Sequence, residues 1–245
     1  MDADFDRLVN EGSARPFSGW DFSSIAERWR AGTPPWDYAG LLREKMRAAT
    51  SMVDLGTGGG EFLASLAPLP RKSFATEGYL PNVAVAERRL APLGVHVLRT
   101  GPDLRIELPD RSLDLVASRH EEFSGPEVFR ILRPGGRFLT QQVGVRNHGE
   151  LQETFGVSPP PATNHVSSAV GLAAEVAASG LAVRTTDEAT YSDEFLDVGA
   201  LVFYLRAIPW EVPGFSADRY REPLWEIHQQ IERTGAFRVA ATDFS

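Results

Sequence analysis

Short apolar runs alternate with longer amphipathic stretches through the middle of the chain. Runs near 51–56, 73–77, 95–99, 113–118 and 137–143 have the length and content of buried strands. Between them lie helical patterns with recognisable ends. One over about 60–67 is stopped by Pro68. A second is opened by Pro81, presents Val83, Ala86 and Leu90 on one face, and ends at Gly94. A third has Ser124 and Glu127 at capping-box spacing and is closed by Pro134-Gly135-Gly136. This alternation predicts an α/β fold with a mostly parallel, doubly wound sheet and helices on both faces.

The flanks break the rhythm. Residues 1–50 read as helical with an aromatic interruption. Phe17, Trp20 and Phe22 precede Ile25 and Trp29 at helical spacing; Pro34-Pro35 breaks the chain, and Leu41, Leu42 and Met46 predict a further helix. A helix near 166–179 ends at Gly180, and a strand is expected at about 181–187. Ser192 reads as the N-cap of a helix carrying Phe195, Val198, Val202 and Leu205. A last helix carries Leu224, Ile227 and Ile231, and Gly235 releases the chain into an antiparallel closing strand at 237–242. At 245 residues, one domain accommodates all of this. Its parts are an N-terminal helical cap (1–50), a core (51–191 and 236–245) and a helical insertion (192–235).

The chemistry starts at Val53-Asp54-Leu55-Gly56-Thr57-Gly58-Gly59-Gly60-Glu61, a strand entering a glycine loop before a helix. Glycines let the backbone turn sharply and let a ligand approach. A dinucleotide fingerprint needs G-x-G-x-x-G, but the position of its third glycine holds Glu61. The pattern present is acidic-x-G-x-G-x-G, carried by Asp54, Gly56, Gly58 and Gly60.

In that loop the chain resembles the class I S-adenosylmethionine-dependent methyltransferases, of the methyltransferase type 11 kind. Three later segments fall in the family's order: Ser73–Glu77, Leu108–Val116, and Ile131–Leu139 around Arg133-Pro134-Gly135-Gly136. The resemblance covers roughly 50–145 and implies a Rossmann-like core with S-adenosyl-L-methionine as cofactor. It places Asp54, Gly56, Thr57, Gly58 and Gly60 around the methionine end and Glu77 on the ribose hydroxyls, with Gly78 beside it. Tyr79 is a candidate for adenine contact. Asp103 and Leu104 align with the pair near the adenine amino group. Ser118-Arg119-His120-Glu121-Glu122-Phe123, where the fourth strand ends, is the stretch nearest the transferring methyl, with Ser118 and Arg119 as its candidate cofactor contacts.

Composition narrows the acceptor. There is no cysteine, which excludes thiolate metal sites and a cysteine nucleophile. Acidic residues outnumber basic ones, 33 to 25, and no basic face is evident, so a nucleic-acid substrate is not expected. Ser118-Arg119-His120-Glu121 also lacks the Pro-Pro-aromatic signature of nucleic-acid amino-methyltransferases, and Ser158-Pro159-Pro160-Pro161 lacks its aromatic. No metal-ligand spacing, signal segment or membrane span is visible, and a cytoplasmic location follows as the expectation. Arginine- and alanine-rich, lysine-poor usage fits a GC-rich genome, where tailoring methyltransferases of secondary metabolism abound.

His120 is the candidate base, since imidazole titrates near neutrality. His148 and His165 are weaker candidates. Phe17, Trp20, Gln142 and Trp210 are the candidate acceptor contacts, with Gln141 as the alternative to Gln142 at the end of the fifth strand, and Phe215, Tyr220 and Trp225 as further members of an aromatic wall. The expected function is methyl transfer to a small-molecule acceptor. The alternatives are an RNA base methyltransferase and a cofactor-binding protein without transfer activity.

Overall fold

The computed structural model describes residues 2–144, 147–158 and 168–245. In chain order they form α1 (Ala3–Ala14), β1 (Trp29–Arg30), α2 (Tyr38–Ala48), β2 (Ser51–Leu55), α3 (Glu61–Ser65) and β3 (Lys72–Glu77). Next come α4 (Leu80–Leu90), β4 (Val95–Arg99), β5 (Leu113–Arg119), α5 (Gly125–Ile131) and β6 (Leu132–Val143). The chain ends with α6 (Gly149–Phe155), α7 (Ala169–Ala178), β7 (Glu188–Phe195), α8 (Val198–Ala207), α9 (Arg221–Thr234) and β8 (Phe237–Phe244).

One eight-stranded sheet runs β1-β7-β8-β6-β5-β2-β3-β4. The pairs among β2 to β6 are parallel, while β8 runs antiparallel to β6 and β7, and β1 antiparallel to β7. Every residue of β2 is buried, as a central strand covered on both faces requires. Side-chain alternation splits the core accordingly. Val53, Leu55 and Val116 pack with α5 and α7, whereas Met52, Leu115 and Ala117 pack with α2, α3 and α4. A third apolar cluster joins α1, α8 and α9 to Phe195, Phe237 and Val239.

Four local expectations need correction. Ile25 and Trp29 do not share a helix: Ser23–Ile25 is one tight turn, and Trp29 starts an edge strand whose ring stacks on Phe195 at 6.0 Å. Ser124 precedes α5 but makes no side-chain capping bond. Its intended partner Glu127 instead accepts from Ile106 N at 2.7 Å and pairs with Arg130, a stronger charge-assisted arrangement. The Pro134-Gly135-Gly136 segment lies inside β6 as an irregularity, because the register passes from Leu132↔Leu113 to Arg137↔Leu115.

The fourth correction is the largest. Residues 181–187 are not a strand; β7 lies one element later, at 188–195, with Ser192 inside it. The following helix is capped by Asp197, whose carboxylate accepts from Ala200 N at 2.9 Å and also grips Arg28. Phe195 and Val198 share a helical period by coincidence, since the first ends a strand and the second begins a helix.

Candidate active site

Three glycines of the loop between β2 and α3 each have their own reason for lacking a side chain. Gly56, Gly58 and Gly60 all take left-handed backbone, at φ +64°, +61° and +81°. A Cβ on Gly60 would sit 2.8 Å from Leu90, so this glycine lets α4 approach. One on Gly58 would lie 3.2 Å from Trp20 Cβ, and one on Gly56 would run into the Glu121 side chain. The loop is anchored to β3 by Gly56 N–H on Thr76 Oγ1 (3.1 Å) and Thr57 N–H on the Thr76 carbonyl (2.9 Å). The helix behind it is shorter than expected, only Glu61–Ser65.

Acidic groups gather at this loop. Asp54 is 4% exposed, and burial pushes its carboxyl up to about 6. Glu77 closes β3; burial raises it, against the pull of hydrogen bonds such as Tyr79 N–H at 2.7 Å. Glu121 is pushed up to about 7 by burial and then by Glu77, Glu122 and Asp54. Glu121 lies in the stretch that the sequence places nearest the methyl, but no role is assigned to it there. Arg119 lies over the Phe62 ring at 4.3 Å and acts on Asp54.

His120 sits in left-handed backbone (φ 57°), its N–H held by the Gln141 carbonyl at 2.8 Å. The ring meets a network from β6, β7 and β8. Trp36 Nε1–H donates to Gln141 Oε1 at 2.9 Å. An indole only donates, so it turns the Gln141 NH2 toward Asp243 Oδ2 (2.8 Å) and His120 Nε2 (3.0 Å). Tyr191 OH donates to the same Asp243 oxygen at 2.8 Å, and His120 Nε2 lies 3.4 Å from it. Asp243 is 1% exposed. Tyr191 and Asp243 are not among the predicted site residues and carry no local motif that marks them, and Gln141 enters the sequence reading only as the alternative to Gln142.

The remaining predicted residues divide. Ser118 and Gln142 hold the turn after β5: Ser118 Oγ donates to the Glu121 carbonyl (3.1 Å), as does Gln142 Nε2 (3.1 Å). Gln142 thus points away from the His120 network, while its neighbour Gln141 points into it. Tyr79 is exposed at the start of α4, next to Gly78, whose nearest Cβ neighbours lie 3.5 Å away on Thr100. Leu104 lines a small cavity with Thr76, Glu121 and Phe123, whereas Asp103 faces a separate cleft with Arg99 and Arg105.

Above the loop, Phe17 and Trp20 meet edge-on at 6.3 Å, and Trp20 stacks on Trp210 at 6.0 Å with planes 7° apart. Phe215 and Tyr220 stack on each other, and Trp225 packs on Phe5 inside the cap. His148 is buried between Asp193 and Glu211, at 3.3 Å from each, with Tyr204 OH 3.1 Å from its Nδ1. His165 and Pro159–Pro161 lie outside the described residues. Among the described residues no group of side chains is arranged to hold a metal ion, and no helix is long and apolar enough to cross a membrane.

Residues 53–140 match the family described as Methyltransferase domain. No curated protein matches the sequence. In fold the chain is similar to the YcgJ protein of Bacillus subtilis: TM-score 0.60, 17% identity, 84% of this chain and 95% of that one covered. A candidate methyltransferase of Bacillus halodurans C-125 gives 0.59 at 14% identity, over 85% and 96%. A Deinococcus radiodurans protein of unknown function gives 0.54 at 15% identity, over 99% and 98%. The left-handed glycines and the acid ending β3 fit S-adenosylmethionine as the cofactor, and it is in residues 53–140, which hold both, that the chain matches a methyltransferase domain.

Proposed function

We propose that the protein methylates a small-molecule acceptor, bound between the glycine loop and the aromatic roof, with His120 taking the acceptor's proton. The observation that carries this reading is the ring of His120 beside buried Asp243 at the end of β5. The cofactor supplies an electrophilic methyl on positively charged sulfur. Asp54, Gly56, Thr57, Gly58 and Gly60 would hold its methionine end, Glu77 and Gly78 its ribose, and Leu104 its base. Asp103, Tyr79, Ser118 and Arg119 flank that path. Alignment of nucleophile and methyl provides most of the acceleration in such a displacement, up to roughly 7–11 kcal/mol.

The base role sets a condition on the His120 tautomer. With Gln141 donating to Nε2, the neutral ring carries its proton on Nδ1. With Nε2–H given instead to Asp243, Nδ1 keeps a lone pair and can accept a proton, and the carboxylate stabilises the imidazolium formed. Phe17, Trp20 and Trp210 supply apolar contact area for a small, neutral or cationic acceptor, and the acids around the loop disfavour a polyanion. The N-terminal piece and the helical insertion act as the two halves of this roof.

The test is transfer of label. Incubated with methyl-labelled cofactor and cell extract, the protein should place label in small molecules. Label in RNA would support the RNA base methyltransferase reading, and label that stays on the cofactor would support a binding protein without transfer.

A further inference from the structure

The Glu121 side chain lies directly against Gly56 of the glycine loop. A Cβ on Gly56 would meet Glu121 Cγ at 2.1 Å and Cδ at 2.4 Å. The side chain therefore fills the hollow that glycine leaves. Its backbone is fixed there, because the Glu121 carbonyl takes hydrogen bonds from both Ser118 and Gln142. Glu77, Glu122 and Asp54 surround it with like charge. Arg119 does not answer that charge: its guanidinium rests on Phe62 and acts on Asp54. A carboxylate so placed is unfavourable until a cation joins it.

We propose that Glu121 is a cofactor-binding residue that reads the charge on the cofactor's sulfur. It favours the sulfonium donor over the neutral thioether that remains after transfer. In the reaction the carbon–sulfur bond breaks with its electron pair going to sulfur, while the acceptor gains the methyl and gives up a proton. The positive charge at sulfur disappears in that step, so a fixed carboxylate holds the donor and lets the product go. This inference rests on the cofactor lying at the glycine loop, as argued above.

Calorimetry of the intact protein with S-adenosylmethionine and with S-adenosylhomocysteine tests it. Glu121→Gln keeps the shape and removes the charge. The preference for S-adenosylmethionine should fall by about five- to tenfold at about pH 8, with affinity for S-adenosylhomocysteine held or improved. Glu121→Asp keeps a carboxylate and should retain most of the preference, whether or not the glutamine variant folds. An unchanged ratio in Glu121→Gln, or a ratio lost equally in Glu121→Asp, overturns the proposal. Glu77→Ala separates the two readings: both ligands carry the ribose, so both should weaken together with their ratio fixed. Full affinity for both in that variant places the cofactor elsewhere, and the role of Glu121 falls with it.

Discussion

His148 offers the sharpest test of how the segment between β7 and β8 is held to the sheet. It lies on the connection after β6, Asp193 is on β7, and Glu211 and Tyr204 belong to the segment between β7 and β8. Burial alone would lower the imidazole value, but the two carboxylates outweigh it and push it up to about 9. A histidine raised from 6.5 to about 9 in the folded state corresponds to about 3 kcal/mol of stability. The sign follows from proton counts. Between those values the folded protein binds a proton that the unfolded chain does not. The contribution is therefore complete below 6.5 and is lost as pH rises through 9.

Urea unfolding without cofactor, at about pH 7 and about pH 10, measures the term. The wild-type protein should lose about 3 kcal/mol across that window beyond what His148→Gln loses. At neutral pH the variant should already be about 3–5 kcal/mol less stable, since removing one member of a buried ion cluster leaves the others uncompensated. Asp193→Asn placed in the same chain should recover part of that loss, because it removes one of the two stranded carboxylates. Parallel pH curves for wild type and His148→Gln would refute the charged-histidine account and leave the residue as a plain packing element.

Other expectations follow from the site. Glu77→Ala should weaken cofactor binding at least tenfold by calorimetry, as loss of charge-assisted bonds worth about 1.5–3 kcal/mol requires. His120→Ala and Asp243→Asn should each lower kcat far more than they change cofactor affinity; the asparagine stabilises neither the needed tautomer nor the imidazolium. A normal single-turnover rate in either variant removes that residue from proton transfer. Trp20→Ala breaks the stack on Trp210 and should raise the acceptor KM with little change in global stability, measurable by steady-state kinetics beside a melting curve.

The parallel half of the sheet was legible because its central strands β2 and β5 are buried apolar runs and the helix between β3 and β4 carries a proline start and a glycine stop. The antiparallel half was not. β7 reads Glu188-Ala189-Thr190-Tyr191-Ser192-Asp193-Glu194-Phe195, with no apolar stripe to mark it. Its inward face is polar because Tyr191 and Asp193 serve the Asp243 and His148 networks. The residues that build these buried polar networks thus removed the very periodicity that announces a strand. β1 escaped for a simpler reason: two residues leave no period to detect.

The same distinction governs the site. Asp54, Gly56, Gly58, Gly60 and Glu77 stand out as candidates in the sequence since one turn and two strand ends carry them, and local chemistry fixes their spacing. Gln141, Tyr191 and Asp243 come from three strands separated by up to 102 residues and meet only when the sheet is assembled. No spacing rule reaches across such distances. His148 shows the limit most clearly, because nothing adjacent to it announces Asp193 or Glu211. A polar loop and a buried charged triad have the same sequence there, and only tertiary packing tells them apart. Surfaces built by one contiguous turn are therefore legible from sequence, while those built across the sheet need the fold.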